Sequence, residues 1–373
     1  MLNEKRILTE FIELVKIRCS TRNEREMGDL LTKRLQDLGG SVIEDNTAEK
    51  LDGNCGNLIA TFKGTLSVPT VMLTAHMDCV EPCENINPQI RDGIIRSDGS
   101  TILGADDKAG ITAILETLRV LKEDNIPHGD IQVVFTVAEE GGVNGSKNMD
   151  TSLLHSDIGY TLDTHGSPGK IVSKAPGQNK IFVKIQGKPS HAGIAPEKGI
   201  NAIVAAAKIL VKVPQGRIDE ETTCNVGTIV GGRATNIVAE FVEIACESRS
   251  RNKAKLDKLT DEICTVFKNG AVETNTKIDV TVKKSYDPYV IAEDSIAIVT
   301  AAKAARKLNF PVEIVESGGG SDANFYNTYG IPCAVLGVGM TNGHTKEECI
   351  LEKDLYDSAR LTLQIVKDIA ASK

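Results

Sequence analysis

The chain opens with a helical beat. Leu8, Phe11, Ile12, Leu14 and Val15 recur at three- and four-residue spacing, which gathers apolar side chains on one helix face. Thr21 to Asn23 break the pattern, and a second helix is predicted to end near Gly39-Gly40. The period then changes. Asn57 to Phe62, Thr70 to Thr74 and Ile131 to Val137 are short apolar runs of strand type. Between the last two, Lys108 to Leu121 returns to helical spacing through Ile111, Ile114, Leu115, Leu118 and Leu121. Strand, helix and strand at these lengths predict an α/β domain, a mixed sheet with helices on its faces.

From about Asn179 to Pro288 the character differs. A strand of alternating type, Lys180 to Gln186, precedes an alanine-rich helix from Gly199 to Val213. Strands are predicted at Cys224 to Val230 and Ile237 to Ala245, then a helix at Lys253 to Asn269 and a strand at Ile278 to Lys284. That order, β-α-β-β-α-β, is the ferredoxin-like sandwich. A helix from Asp294 to Leu308, runs at Pro311 to Val315 and Ala334 to Val338, and a helix from Glu352 then resume the first pattern. The expected organisation is one discontinuous domain, residues 1–177 and 289–373, with residues 178–288 inserted as a ferredoxin-like α+β lid. A chain of 373 residues exceeds one typical core, which agrees with two domains.

Composition removes several function classes. With 41% hydrophobic and 25% charged residues, the chain has the make-up of a folded globular protein. A net charge of −8 without a dense basic run argues against nucleic acid. The first residues lack the apolar core of a signal peptide, and no run approaches the ~20 residues that span a bilayer, so no membrane partner is expected. Nine cysteines without a paired CxxC pattern read as free thiols in a reducing cytoplasm.

Five short segments carry the candidate chemistry: Thr74-Ala-His76-Met-Asp78, Gly104-Ala-Asp106-Asp107-Lys108, Val137-Ala-Glu139-Glu140, Thr161-Leu-Asp163 and Asn342-Gly-His344-Thr-Lys-Glu347. Each has a plainer meaning alone. His76 would be a hydrogen-bonded structural histidine, Asp106-Asp107 a helix N-cap with a first-turn acid, Glu139-Glu140 a solvated pair. Their joint placement near successive strand ends is what makes a site, because loops there open onto a crevice above a rigid base. His128, His155 and His165 are expected to be structural or on the surface.

Imidazole and carboxylate suit zinc, with cobalt or manganese fitting the same shell. One of two Zn2+ ions would take His76, Asp106 and Asp163, the other Asp106, Glu140 and His344. A shared Asp106 would hold the ions ~3.5–4 Å apart, the separation of two-metal hydrolases. Asp78 is close enough in sequence to hold the second ring nitrogen of His76. Glu139, beside a ligand and not needed as one, is the natural general base for water-driven amide hydrolysis. Ser321 lies in Gly-Gly-Ser-Asp and not in a GxSxG elbow, which argues against a serine hydrolase. Gly337-Val-Gly339 precedes no helix start, which argues against a dinucleotide site.

The strings HMD at His76, GADDKAG at Gly104, AEEGG at Ala138, LD at Leu162 and GHTKE at Gly343 resemble the dinuclear zinc peptidases related to aminoacylase and carboxypeptidase G. The segment around Gly104 is most similar to the peptidase-T-like, tripeptide-cleaving branch. The resemblance covers nearly the whole chain, including Ser190-His191-Ala-Gly and Gly319-Gly-Ser-Asp322. It implies the same ligands and base, a cis bond between Asp106 and Asp107, and a role for His191 in stabilising the tetrahedral oxyanion. It also implies substrate contacts at Arg249 and Asn236, and a homodimer formed through the lid. Ala192 stands where that branch has proline, and Ser317 stands where it has arginine. The expected activity is release of the N-terminal residue from short peptides. The alternative is an amidohydrolase acting on N-acyl amino acids or a related amide with the same metals. Nothing in the ligand set separates the two.

Overall fold

The computed structural model describes residues 2–372. The chain divides into two compact units, Met1–Lys174 with Val290–Ser317 and Ser321–Lys373, and Ala175–Tyr289 with Gly318–Gly320.

The larger unit is built on a mixed sheet. Its strands lie in the order Ser41–Glu44, Leu58–Phe62, Ile131–Thr136, Val71–His76, Ile158–Thr164, Cys333–Gly337 and Lys170–Ala175. From Ile131–Thr136 to Cys333–Gly337 neighbours run parallel, so these strands end along one edge. Val71–His76 and Ile131–Thr136 are buried at every position, as parallel strands covered on both faces must be.

Residues 108–121 form the helix that the apolar spacing predicts, but its setting is more enclosed than an amphipathic pattern suggests. All positions from Asp107 to Leu118 are buried, because the helix lies on the central strands beneath Glu4–Val15 and Glu352–Ala370. Polar side chains on its outer faces therefore need partners. Glu116 finds one in Arg6, whose Nε lies 2.7 Å from Oε2. A small sheet joins Gln89–Arg91 and Ile94–Arg96 to a hairpin of Met340–Thr341 and Cys349–Leu351. The loop of that hairpin carries His344 and Glu348.

In the smaller unit the strands order as Thr222–Gly231, Phe241–Ser250, Gly177–Gln186 and Lys277–Tyr286, all antiparallel. With helices Ala202–Leu210 and Lys253–Thr274 this is the β-α-β-β-α-β sandwich in its usual strand order. Ile181, Val183 and Ile185 point inward on alternate positions and meet Ala206, Ile209, Ile263 and Phe267. Each fully buried aliphatic side chain there contributes about 1.5–3 kcal/mol. The second strand of the hairpin starts at Phe241, later than the expected Ile237. Residues 236–238 pair elsewhere: Val238 N donates to Ser190 O and Ala192 N to Asn236 O, which ties this stretch to the loop of His191.

Candidate metal centre

Three of the five segments reach the site from the sheet edge. His76 is the last residue of its strand, Asp163 the last but one of Ile158–Thr164, and Glu139 and Glu140 follow Ile131–Thr136 through a turn at Ala138, φ 51°. Asp106 arrives on a loop that two glycines make possible. Gly104 takes φ 77°, and a Cβ at Gly110 would lie 2.5 Å from Leu162 O, so only glycine lets the helix approach the strand leading to Asp163.

Asp106 and Asp107 are not helical, and the bond between them is cis. The helix proper starts at Lys108, and Asp107 is its N-cap: Oδ1 accepts from Gly110 N at 3.2 Å, while Oδ2 accepts from His76 N at 3.2 Å. The N-cap meaning of this acidic pair thus holds for Asp107, which leaves Asp106 free to face the histidines. Its Oδ1 is 3.0 Å from His76 Nε2, and its Oδ2 is 3.3 Å from His344 Nε2. Glu140 Oε2 is 3.0 Å from the same His344 nitrogen, and Asp163 Oδ1 is 3.8 Å from His76 Nε2. One atom each of His76, Asp106 and Glu140 lie within 4.8 Å of one another, as do atoms of His76, Asp107 and Asp163.

Asp78 does more than its place in the sequence suggests. His76 Nδ1 is 3.0 Å from the backbone carbonyl of Asp78 and 3.5 Å from its carboxylate. A carbonyl only accepts, so Nδ1 donates to it, and Nε2 is the ring nitrogen turned toward the site. The Asp78 carboxylate, fully buried, is spent on Glu139 N at 2.9 Å, Glu140 N at 3.2 Å and Thr21 Oγ1 at 2.7 Å.

The electrostatics follow from this crowding. Burial raises the proton affinity of Asp163, and the charge of Asp106 adds to it. Burial also raises Glu139, against the attraction of His76 and with Asp322 and Glu140 adding to the rise. For Asp106, burial is overruled by hydrogen bonds from His344 and His76, which hold its carboxyl well below the usual range. Those bonds, with Glu140, push His344 up to about 10.

Several contributors carried no signal in the sequence. Glu348, fully buried, accepts from Leu103 N, Gly104 N and Asp106 N at 2.9, 2.7 and 2.9 Å. Glu24 Oε1 accepts from Ala138 N at 3.0 Å, immediately before the Glu139-Glu140 pair. Lys108 is buried with Nζ 2.6 Å from Met77 O and 2.8 Å from Cys79 Sγ.

The remaining candidates lie in the smaller unit. His191 is exposed, and its Nδ1 accepts from Gly193 N and Ile194 N at 3.2 Å, which places the neutral ring's proton on Nε2. The backbone carbonyl of Asn236 holds Ala192 N. Arg249 is engaged within its own strand: Nε and Nη2 lie 2.8 and 3.2 Å from the two oxygens of Glu247. Residues two apart on a strand share a face, so this pair was readable in the sequence.

Comparison with known proteins identifies the family of the chain. The profile of peptidase family M20/M25/M40 matches residues 72–368, a span that holds His76, Asp106, Glu139, Glu140, Asp163 and His344. The uncharacterised protein YqjE of Bacillus subtilis (strain 168) is 42% identical over 370 residues, 99% of this chain and 100% of that one. The crystal structure of aminopeptidase PepT from Bacillus cereus superposes with a TM-score of 0.92 at 43% identity, covering 99% of both chains. A tripeptidase from Staphylococcus aureus superposes with a TM-score of 0.96 at 42% identity, covering 100% of both. The profile matches most of the chain, and the sequence and structural relatives match almost all of it: the chain belongs to peptidase family M20/M25/M40.

Proposed function

We propose that this protein is a dinuclear zinc aminopeptidase that releases the N-terminal residue of short peptides. The observation that carries the reading is Asp106, whose two oxygens face two different imidazoles. His76, Asp106 and Asp163 would hold one ion, and Asp106, Glu140 and His344 the other. The donor set fits such ions. Several carboxylates are drawn together out of water, and Glu140 Oε1 is buried with no hydrogen-bond partner among the described residues. Oxygen and imidazole donors suit zinc, and cobalt or manganese would enter the same shell.

Bound metal would polarise the scissile carbonyl and lower the pKa of water. The chain's own groups do the rest. Glu139 removes a proton from the attacking water and returns it to the leaving amine. Burial and neighbouring carboxylates raise its proton affinity, which suits a carboxylate that must take a proton from water and hold it in transit. Its backbone is fixed through Asp78 and Glu24, so its carboxylate starts from a set position. His191 presents Nε2–H, a donor suited to the developing oxyanion. Arg249, steadied by Glu247, and Asn236 are assigned to substrate binding.

A homodimer through the smaller unit fits its surface. The strand Thr222–Gly231 pairs outward only at its start, with Gly216–Arg217, and Ile229 and Val230 beyond that point are 52% and 65% exposed. An apolar free edge of this kind is a template for a second copy. Sedimentation should show a dimer that Val230→Lys weakens, and a monomeric wild type would end the idea. Nine free thiols fit a cytoplasmic setting. No helix among the described residues is long and apolar enough to cross a membrane.

The test of function is mass-spectrometric product analysis of the zinc-loaded protein on free and N-acetylated di-, tri- and tetrapeptides. Loss of N-terminal residues from free peptides is expected. Cleavage confined to acetylated members would replace the reading with the amidohydrolase.

A further inference from the structure

The hairpin loop that carries His344 also carries Glu348, a buried carboxylate that contacts neither imidazole of the centre. Its two oxygens take three backbone amides of the segment presenting Asp106: Oε2 those of Leu103 and Gly104, Oε1 that of Asp106 itself. A loop in this position has no strand or helix partner for those amides, and burying them unpaired would cost about 1–3 kcal/mol each. One carboxylate satisfies them with charge-assisted bonds. The same bonds fix the distance between two chain segments far apart in sequence, one bearing Asp106 and the other His344.

We propose that Glu348 is a positioning residue that sets the spacing between Asp106 and His344. It thereby governs the metal position formed by Asp106, Glu140 and His344 more than the one at His76. The asymmetry has a structural reason. His76 is held independently by its strand, by Asp107 at its amide and by the Asp78 carbonyl at its ring. His344, by contrast, is 57% exposed and sits on a short hairpin loop with φ 63°. Among the described carboxylates, Glu348 is the one that ties this loop to the Asp106 backbone.

This inference rests on the dinuclear reading of the centre, and the experiment separates the two. Zinc binding is followed by competition with a chromophoric chelator for the wild type, Glu348→Gln and Glu348→Asp. Glu116→Gln, which alters a buried carboxylate paired with Arg6, serves as control. Glutamine keeps the shape but turns a donor toward an amide; aspartate keeps the charge but is too short. Wild type is expected to bind two equivalents. Both Glu348 variants should retain the tighter equivalent within about threefold and lose about 10- to 100-fold at the weaker, the usual effect of a group supporting a ligand. The control should bind both as wild type does.

Two tight equivalents in either folded Glu348 variant would overturn the inference and leave the dinuclear reading standing. Parallel weakening of both equivalents, matched by Glu116→Gln, would also overturn it, since generic loss of stability would then suffice. A wild type that binds a single equivalent would instead overturn the dinuclear reading.

Discussion

Asp78→Ala separates two ways in which a buried carboxylate can serve this centre. If its task is to orient His76, its loss should weaken metal binding about 10- to 100-fold. The geometry assigns it another task. The ring of His76 leans on the Asp78 backbone carbonyl, which alanine retains, whereas the carboxylate holds the amides of Glu139 and Glu140. Removing it leaves two buried N–H groups unpaired, at about 1–3 kcal/mol each. The Thr21 hydroxyl, only partly buried, can turn to water. Relief of repulsion from Glu24 and Glu139, both raised by the charge of Asp78, offsets part of the cost. The net loss of stability should be about 3 kcal/mol by urea denaturation. A base displaced by even 1 Å loses on the order of 10²-fold in rate. Zinc titration should therefore show affinities within tenfold of wild type while kcat falls about 100-fold. Loss of metal at unchanged kcat per bound ion would refute the assignment.

Glu139→Gln should retain both metal equivalents and lose about 10²- to 10⁴-fold in kcat, and residual turnover above that range would remove Glu139 as the base. Glu24, raised by burial and then by Asp78 to about 7, binds its proton more tightly folded than unfolded. Its contribution to stability is therefore present below its ordinary value of 4.5 and is lost as pH rises through about 7. Urea midpoints should fall between pH 5 and 8 by the equivalent of roughly 2 kcal/mol in wild type. Glu24→Gln can keep both backbone bonds at Oε1 and should flatten that slope; an equal slope in the variant would refute it. His344, at about 10 without metal, must give up its proton to become a ligand. Apparent zinc affinity should rise about tenfold per pH unit between pH 6.5 and 8.5, with proton release visible by calorimetry in buffers of different ionisation enthalpy. An affinity independent of pH over that window would contradict the His344 assignment.

The parts of this molecule legible in the sequence are those set by local pattern. Val71–His76 and Ile131–Thr136 announce themselves as unbroken apolar runs, and His76 and Asp163 are informative because each sits where such a run stops. The alternation of Ile181, Val183 and Ile185 gives the smaller unit its first strand for the same reason. What could not be read is which amide a carboxylate will meet. Glu348 and Leu103 are brought together only by the tertiary fold, and nothing near either residue encodes the contact. The shift of the expected strand at Ile237 has the same origin, since its backbone bonds go to the distant loop of His191. Asp78 marks the boundary between the two cases. Its place two residues after His76 says that it supports the site, but the direction its carboxylate takes is decided by where Glu139 and Glu140 come to rest.

These contacts share a logic. Glu24, Asp78, Asp107 and Glu348 are buried, lie outside the proposed ligand set, and each holds the backbone amide of a segment that presents a ligand or the base. Asparagine or serine would satisfy such amides at less cost in desolvation. A carboxylate does more, because it accepts several N–H groups at once and adds negative charge to the surroundings of the centre. Two dications held there would be stabilised by that charge, and protons compete with them for it. Burial and mutual repulsion among the acids raise the proton affinities of Glu24, Asp163 and Glu139, and the carboxylates facing His344 raise that of its ring. The frame that fixes these segments in place thus also adds negative charge that a bound cation would meet, so replacing any one of these four acids by an apolar residue changes geometry and electrostatics together.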